Sequence, residues 1–131
     1  MREHSPLIAV VDDDNFVRDS IKRLIRSLGY LVEAFPSAME FLSFPRFHET
    51  ACLIVDINMP GMSGLELYRQ LIIAGQPIPT VVITAYPDEA VRTRALADGV
   101  LCYLKKPFDD NELVRCVGLA LGGSKSSDQS P

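Results

Sequence analysis

The chain has 131 residues, 47% of them hydrophobic, which is enough for one closed core and too little for two ordinary domains. With 13 basic residues against 17 acidic ones, its formal net charge is -4, so no chain-wide basic field exists to hold nucleic acid or an anionic membrane, and any DNA contact would need another module. No apolar run approaches the roughly 20 residues that span a bilayer, and Met1 to Pro6 carry no apolar stretch behind their charges, so a soluble, non-exported, cytoplasmic protein is expected.

The first predicted element is Leu7-Ile8-Ala9-Val10-Val11, an apolar, β-branched run of the kind that forms a strand buried on both faces. It leads into Asp12-Asp13-Asp14. Val17, Ile21, Leu24, Ile25 and Leu28 then share one helical stripe, with Arg18, Lys22, Arg23 and Arg26 opposite and Gly29 where the helix would stop. Tyr30 to Phe35 is a weaker strand. Ser37 with Glu40 has capping-box spacing, and Pro45 should keep the helix that starts there short. Ala51 to Val55 is a second strongly apolar strand, ending at Asp56, and Ser63 with Glu66 marks the next helix start. Thr80 to Ile83 forms a third such strand and delivers Thr84. A helix from about Asp88 to Ala97 closes at Gly99, a weaker strand from Val100 to Leu104 leads to Lys105-Lys106-Pro107, and Asp109 with Glu112 opens the last helix. Residues 1–121 are expected to form one domain. Gly122 to Pro131 has nothing apolar to bury and reads as a flexible tail or linker.

Cys52, Cys102 and Cys116 are widely spaced inside apolar segments, which predicts free thiols in a reducing compartment. His4 and His48 lie away from the acidic residues and read as solvent histidines.

Strict alternation of strand and helix predicts an α/β domain with a doubly wound parallel sheet, because each crossover must be right-handed and lay its helix on a sheet face. Ligands of such sheets bind beyond the carboxyl ends of the strands. There the chain places Asp12, Asp13 and Asp14, then Asp56, then Thr84, then Lys105 and Lys106. Two carboxylates at ~4 Å repel by about 4 kcal/mol at an effective dielectric near 20, so a cation belongs among them. Mg²⁺ suits carboxylate and carbonyl oxygens and accepts a phosphate oxygen as a further ligand. A lysine and a hydroxyl arriving from the other side can hold the remaining oxygens of a phosphoryl group, leaving one carboxylate to attack it. Taken singly, each group has an ordinary reading: Asp14 as a helix cap, Thr84 as a turn residue, the lysines as solvated charges. Together they form an ordered set at four strand ends.

Val10-Val11-Asp12-Asp13-Asp14, Asp56-Ile57-Asn58-Met59-Pro60-Gly61-Met62-Ser63-Gly64, Val82-Ile83-Thr84-Ala85 and Tyr103-Leu104-Lys105-Lys106-Pro107-Phe108 together resemble the receiver domain of two-component response regulators, the CheY-like family, over Leu7 to about Leu121. The resemblance implies a flavodoxin-like (βα)5 sandwich with strand order 2-1-3-4-5. It implies Asp56 as phosphoryl acceptor, Asp13 as a direct Mg²⁺ ligand, Asp12 acting through bound water, and the Asn58 main-chain carbonyl as a further ligand. Thr84 and Lys106 would bind phosphoryl oxygens, the Lys106-Pro107 bond would be cis, and Lys105 would face solvent. Thr84 and Tyr103 would form the switch, with the surface from Asp88 to Leu121 as partner or homodimer face. A histidine kinase or phosphotransfer protein would be the donor, and a DNA-binding output domain could follow the tail. Tyr86 departs from the small or polar residues usual at its position, as a restriction on entry to the site or as a surface aromatic. Two rival readings stand beside this one. A phosphohydrolase of the haloacid-dehalogenase type would use Asp12 and Asp14, and a receiver-like binding module would not be phosphorylated at all.

Overall fold

The computed structural model describes residues 5–122. The strands are β1 (Leu7–Val11), β2 (Leu31–Phe35), β3 (Thr50–Asp56), β4 (Thr80–Thr84) and β5 (Cys102–Lys105); the helices are α1 (Asn15–Ser27), α2 (Ala38–Leu42), α3 (Gly64–Ile73), α4 (Glu89–Asp98) and α5 (Asp110–Ala120). All pairings are parallel and the strand order is β2-β1-β3-β4-β5, the doubly wound arrangement expected. The expected tail lies outside the described residues apart from Gly122, as does His4.

The period-2 alternation of the strands divides the core into two layers. Ala9, Val11, Leu53, Val55 and Val82 face one way and pack with Phe41 of α2, Leu67 and Leu71 of α3 and Ala95 of α4. Ile8, Val10, Cys52, Ile54, Val81 and Ile83 face the other way and pack with Ile21 and Ile25 of α1 and Leu113, Cys116 and Val117 of α5. Burial on both faces is why β1, β3 and β4 read as continuous apolar runs. All three cysteines are free, with Cys52 and Cys116 buried and Cys102 half-buried. Burial pushes the Cys52 thiol up to about 12, which leaves it a small apolar filler.

Helix ends follow the capping chemistry. Ser63 and Glu66 form a reciprocal capping box at α3. Ser37 accepts from Glu40 N at 3.1 Å at α2, and the Glu112 carboxylate accepts from Asp109 N at 3.1 Å at α5. As expected, α2 is short; a 3-10 turn at Phe47–Glu49, which exposes His48, carries the chain on to β3. Several boundaries differ by a residue or two from expectation: β5 starts at Cys102 rather than Val100, and α4 ends at Asp98. Leu28, expected on the buried stripe of α1, sits at its C-cap and is half exposed.

α4 is the least embedded of the longer helices, since Ala95 is its one buried residue among those described. Its ends are held by two tyrosines instead. Tyr68 of α3 donates to Asp98 O at 3.3 Å, beside an Arg69–Asp98 ion pair at 3.6 Å. At the other end, the Tyr103 hydroxyl accepts from Asp88 N at 3.1 Å. No described helix is long and apolar enough to cross a membrane.

Candidate functional site

The carboxyl ends of β1, β3, β4 and β5 meet on one rim, where strand order reverses beside β1. Asp12 follows β1 directly, and its N–H still donates to Phe35 O of β2 at 3.1 Å, so its position is fixed by the sheet. Its side chain is fully buried, and Oδ1 accepts from Asp14 N at 2.8 Å. Asp14 is the N-cap of α1: Oδ1 accepts from Phe16 N at 2.9 Å and Val17 N at 3.2 Å. Asp13, between them, is exposed with its carboxylate turned to the rim, where Asp12, Asp13 and Asp56 bring carboxylate oxygens within 4.8 Å of one another.

Asp56 is the last residue of β3 and only 4% exposed. Its Oδ1 accepts from Asn58 N at 3.1 Å, and its Oδ2 lies 3.3 Å from the Lys106 ammonium. The same ammonium stands 3.0 Å from Asp12 Oδ2, so one lysine bridges two buried carboxylates. Lys106 is placed by its own N–H, which donates to Thr84 O at 2.7 Å, and the Lys106-Pro107 bond is cis. Lys105, one residue earlier, is exposed.

Burial raises the Asp56 carboxyl above its ordinary value; the Asn58 N–H opposes the shift, the Asp12 charge adds to it, and Lys106 opposes it in turn. For Lys106, burial pulls the ammonium down, but its contacts with Asp12 and Asp56 outweigh that and leave it raised. It therefore remains a cation on the rim at neutral pH. One positive charge against three carboxylates still leaves an excess of negative charge. Among the described residues, Asp12 Oδ2 is buried without an aligned hydrogen bond, despite the ammonium nearby. Hard oxygen donors in excess, one of them unsatisfied, fit a small divalent cation.

Thr84, the last residue of β4, is 1% exposed. Its hydroxyl donates to Asn58 Oδ1 at 2.7 Å and accepts from Tyr86 N at 2.9 Å. The Tyr86 ring itself stands 74% exposed. Tyr103 of β5 points to the opposite layer from Leu104 and packs against the cluster that includes Met59 and Val82, with its hydroxyl at Asp88.

The structure thus gathers Asp12, Asp13, Asp56, Asn58, Thr84 and Lys106 on one rim, with Tyr103 behind it. Three features lay beyond sequence reasoning. Arg18, expected on the solvent face of α1, turns back so that its guanidinium donates to Asp12 O at 2.6 Å and to the Asn15 side chain. Lys106 divides itself between two carboxylates. Asn58, expected to matter only through its main-chain carbonyl, holds Thr84 with its side chain. Asp14, whose oxygen is committed to α1, is poorly placed to serve the second-carboxylate role that a haloacid-dehalogenase reading requires.

The model of the response regulator receiver domain matches residues 8–118. Response regulator protein TodT of Pseudomonas putida is 37% identical over 121 residues, 92% of this chain and 53% of TodT. Transcriptional regulatory protein FixJ of Azorhizobium caulinodans is 36% identical over 117 residues, 89% of this chain and 56% of FixJ. The chain therefore spans about half the length of the curated relatives it matches. The crystal structure of a response regulator receiver protein from Burkholderia phymatum is similar with a TM-score of 0.77 at 42% identity, over 90% of this chain and 96% of that one. The match runs from β1 into α5 and takes in every strand end on the rim, and on that footing the chain belongs to the response regulator receiver domain family of two-component systems.

Proposed function

We propose that Asp56 accepts a phosphoryl group and that the domain passes this event to a partner-binding face. The observation that carries the reading is the buried Asp56 carboxylate at the end of β3, flanked by Asp12 and Asp13 and 3.3 Å from the Lys106 ammonium. A carboxylate oxygen of Asp56 attacks phosphorus as the donor's bond to phosphorus breaks, and the electron pair leaves with the donor. From a phosphohistidine the leaving group is an imidazole, which takes up a proton. Mg²⁺ held by Asp12, Asp13, Asp56 and the Asn58 main-chain carbonyl would neutralise charge on the transferring group. Lys106 offers a fixed cation to one phosphoryl oxygen, and Thr84 offers a hydroxyl proton to another.

A histidine kinase or phosphotransfer protein is the donor this chemistry calls for, in the cytoplasm where such donors and Mg²⁺ are found. A cleft of about 790 Å³, lined among others by Phe16, Ile21, Lys106 and Phe108, opens beside the rim at Lys106 and offers a donor a surface to dock on. The chain acts as a phosphoacceptor that assists its own phosphorylation and dephosphorylation rather than as an enzyme with a separate substrate. Residues 1–121 are the receiver unit, and its readout face runs from Asp88 to Leu121, used for a partner or for a second copy. A DNA-binding output domain beyond the tail fits the name of the transcriptional relative.

The test is labelling by acetyl phosphate with and without Mg²⁺. Wild type should take up phosphate only with the metal, and Asp56→Asn should take up none. Labelling of Asp56→Asn at the wild-type rate removes Asp56 from the role.

A further inference from the structure

We propose that the Asn58 side chain is a positioning residue that latches Thr84 in the resting domain, an inference that rests on the phosphoacceptor reading of Asp56. A threonine hydroxyl has one proton to give. Here that proton goes to Asn58 Oδ1 at 2.7 Å, while the hydroxyl oxygen accepts from Tyr86 N at 2.9 Å. Thr84 is 1% exposed, so water does not readily replace either partner. Any phosphoryl oxygen that recruits Thr84 must take the same proton away from Asn58. Two acceptors compete for one donor, and the competition sets how readily the switch fires.

Asn58 is suited to this task by its backbone as well. Its N–H donates to Asp56 Oδ1 at 3.1 Å, so one residue touches the acceptor carboxylate through its main chain and the switch hydroxyl through its side chain. The resting contact joins two neutral groups, whereas a phosphoryl oxygen would accept as an anion, and charge-assisted hydrogen bonds are roughly twice as strong. Phosphorylation therefore wins the proton, while the unmodified carboxylate leaves it with Asn58. Deleting the amide should raise the population of released Thr84 about 2- to 10-fold, the factor a net hydrogen bond corresponds to.

The experiment uses unphosphorylated, metal-free protein and reads two quantities by NMR: the Thr84 side-chain rotamer and the exchange rate of the Tyr86 amide. In wild type a single rotamer and a protected Tyr86 amide are expected. Asn58→Ala should populate a second Thr84 rotamer and speed Tyr86 exchange by about 2- to 10-fold. Asn58→Asp keeps an acceptor oxygen, now anionic, and has no amide donor, so it should again show a single Thr84 rotamer and a Tyr86 amide protected at least as well as in wild type. In a Thr84→Val background Asn58→Ala should change Tyr86 exchange no further. Unchanged Thr84 and Tyr86 signals in Asn58→Ala, or an Asn58→Asp variant that behaves like Asn58→Ala, overturn the latch. Acetyl phosphate labelling of wild type is measured in parallel: its absence overturns the phosphoacceptor reading, while the rotamers still decide the contact.

Discussion

The ammonium of Lys106 stands 3.0 Å from Oδ2 of Asp12, a carboxylate with no exposed surface. The same ammonium lies 3.3 Å from Oδ2 of Asp56. Lys106→Met would leave two buried carboxylates facing each other without it, and a buried polar group stripped of its partner costs about 1 to 3 kcal/mol. The ammonium's raised pKa keeps it charged up to and beyond the ordinary lysine value of 10.5, so the loss should be present throughout the neutral range. Urea denaturation in a chelator should show the loss, and Mg²⁺ should restore more stability to the variant than it adds to wild type. Equal midpoints for the two proteins in chelator would mean that Lys106 does not neutralise this pair.

The Asp56 carboxyl is raised as well, but it titrates in the acid range, so at neutral pH its ionised form is a cost to folding rather than a gain. Its carboxyl is raised above the ordinary 3.8 by burial first and by Asp12 besides, so the folded state holds the proton more tightly than the unfolded chain. That contribution to stability is present below pH 3.8 and is lost as pH rises through the folded pKa. Asp56→Asn has no such loss. In chelator, its advantage over wild type should therefore grow as pH increases from 3.8 through the raised folded pKa and level off above it. A series of denaturation midpoints across this window checks it; an advantage independent of pH would place the cost elsewhere than in ionisation.

Asp13 and Asp14 are adjacent and should separate cleanly. Asp14 caps α1 through two backbone N–H groups, so Asp14→Ala should cost about 1 kcal/mol of stability while leaving Mg²⁺ affinity nearly intact. Asp13 is exposed and contributes its oxygen to the acidic cluster, so Asp13→Ala should cost little stability and weaken Mg²⁺ binding far more. Metal titration followed by tyrosine fluorescence, beside thermal melts of the same proteins, reads both quantities. Similar losses of metal affinity in the two variants would mean that the ligand register at the end of β1 is misassigned.

The elements most legible in the sequence were those whose burial is uniform. β1, β3 and β4 are covered on both faces, so their runs are continuous and β-branched. α4 announced itself through Asp88 and its left-handed C-cap Gly99, φ 112°, rather than through an apolar stripe, because so little of it is buried. The strand ends carrying Asp12, Asp56, Thr84 and Lys106 were equally plain. What stayed hidden depends on side-chain reach between elements, which alternation along one strand does not encode: Arg18 on Asp12 O, and Asn58 on Thr84. Gly64 was equally silent as to its neighbour: a Cβ there would lie 2.5 Å from the Asp56 carbonyl oxygen, a crowding between two segments that local sequence does not reveal.

Tyr103 offers the last prediction, because its two halves do separate jobs. The ring packs against the layer containing Met59 and Val82, while the hydroxyl accepts from Asp88 N at 3.1 Å and lies 3.5 Å from Asp88 O. Asp88 is the N-cap of α4, accepting from Val91 N at 3.1 Å, so the tyrosine steadies the residue that starts the helix. A helix that buries so little should open locally more easily than its neighbours, and its ends should govern that opening. If Thr84 leaves Asn58 for a phosphoryl oxygen, it vacates space beside β5 into which the ring can turn, and the hydroxyl must then release Asp88. Tyr103→Phe keeps the ring and removes the tether. It should label on Asp56 at a near-normal rate, yet in the unphosphorylated state exchange the amides of Glu89 to Arg92 faster, by about the 2- to 10-fold that one net hydrogen bond corresponds to. Tyr103→Ala should also label, but it should lose the phosphate-dependent change in self-association or partner binding, since neither ring nor hydroxyl remains to report on Thr84. A coupling of about 1 to 3 kcal/mol is enough to make that change 5- to 150-fold in affinity. Hydrogen exchange across residues 88–121, with and without phosphate, reads both variants. Should Tyr103→Ala retain a wild-type response there, the signal leaves the domain by a face that does not include β5.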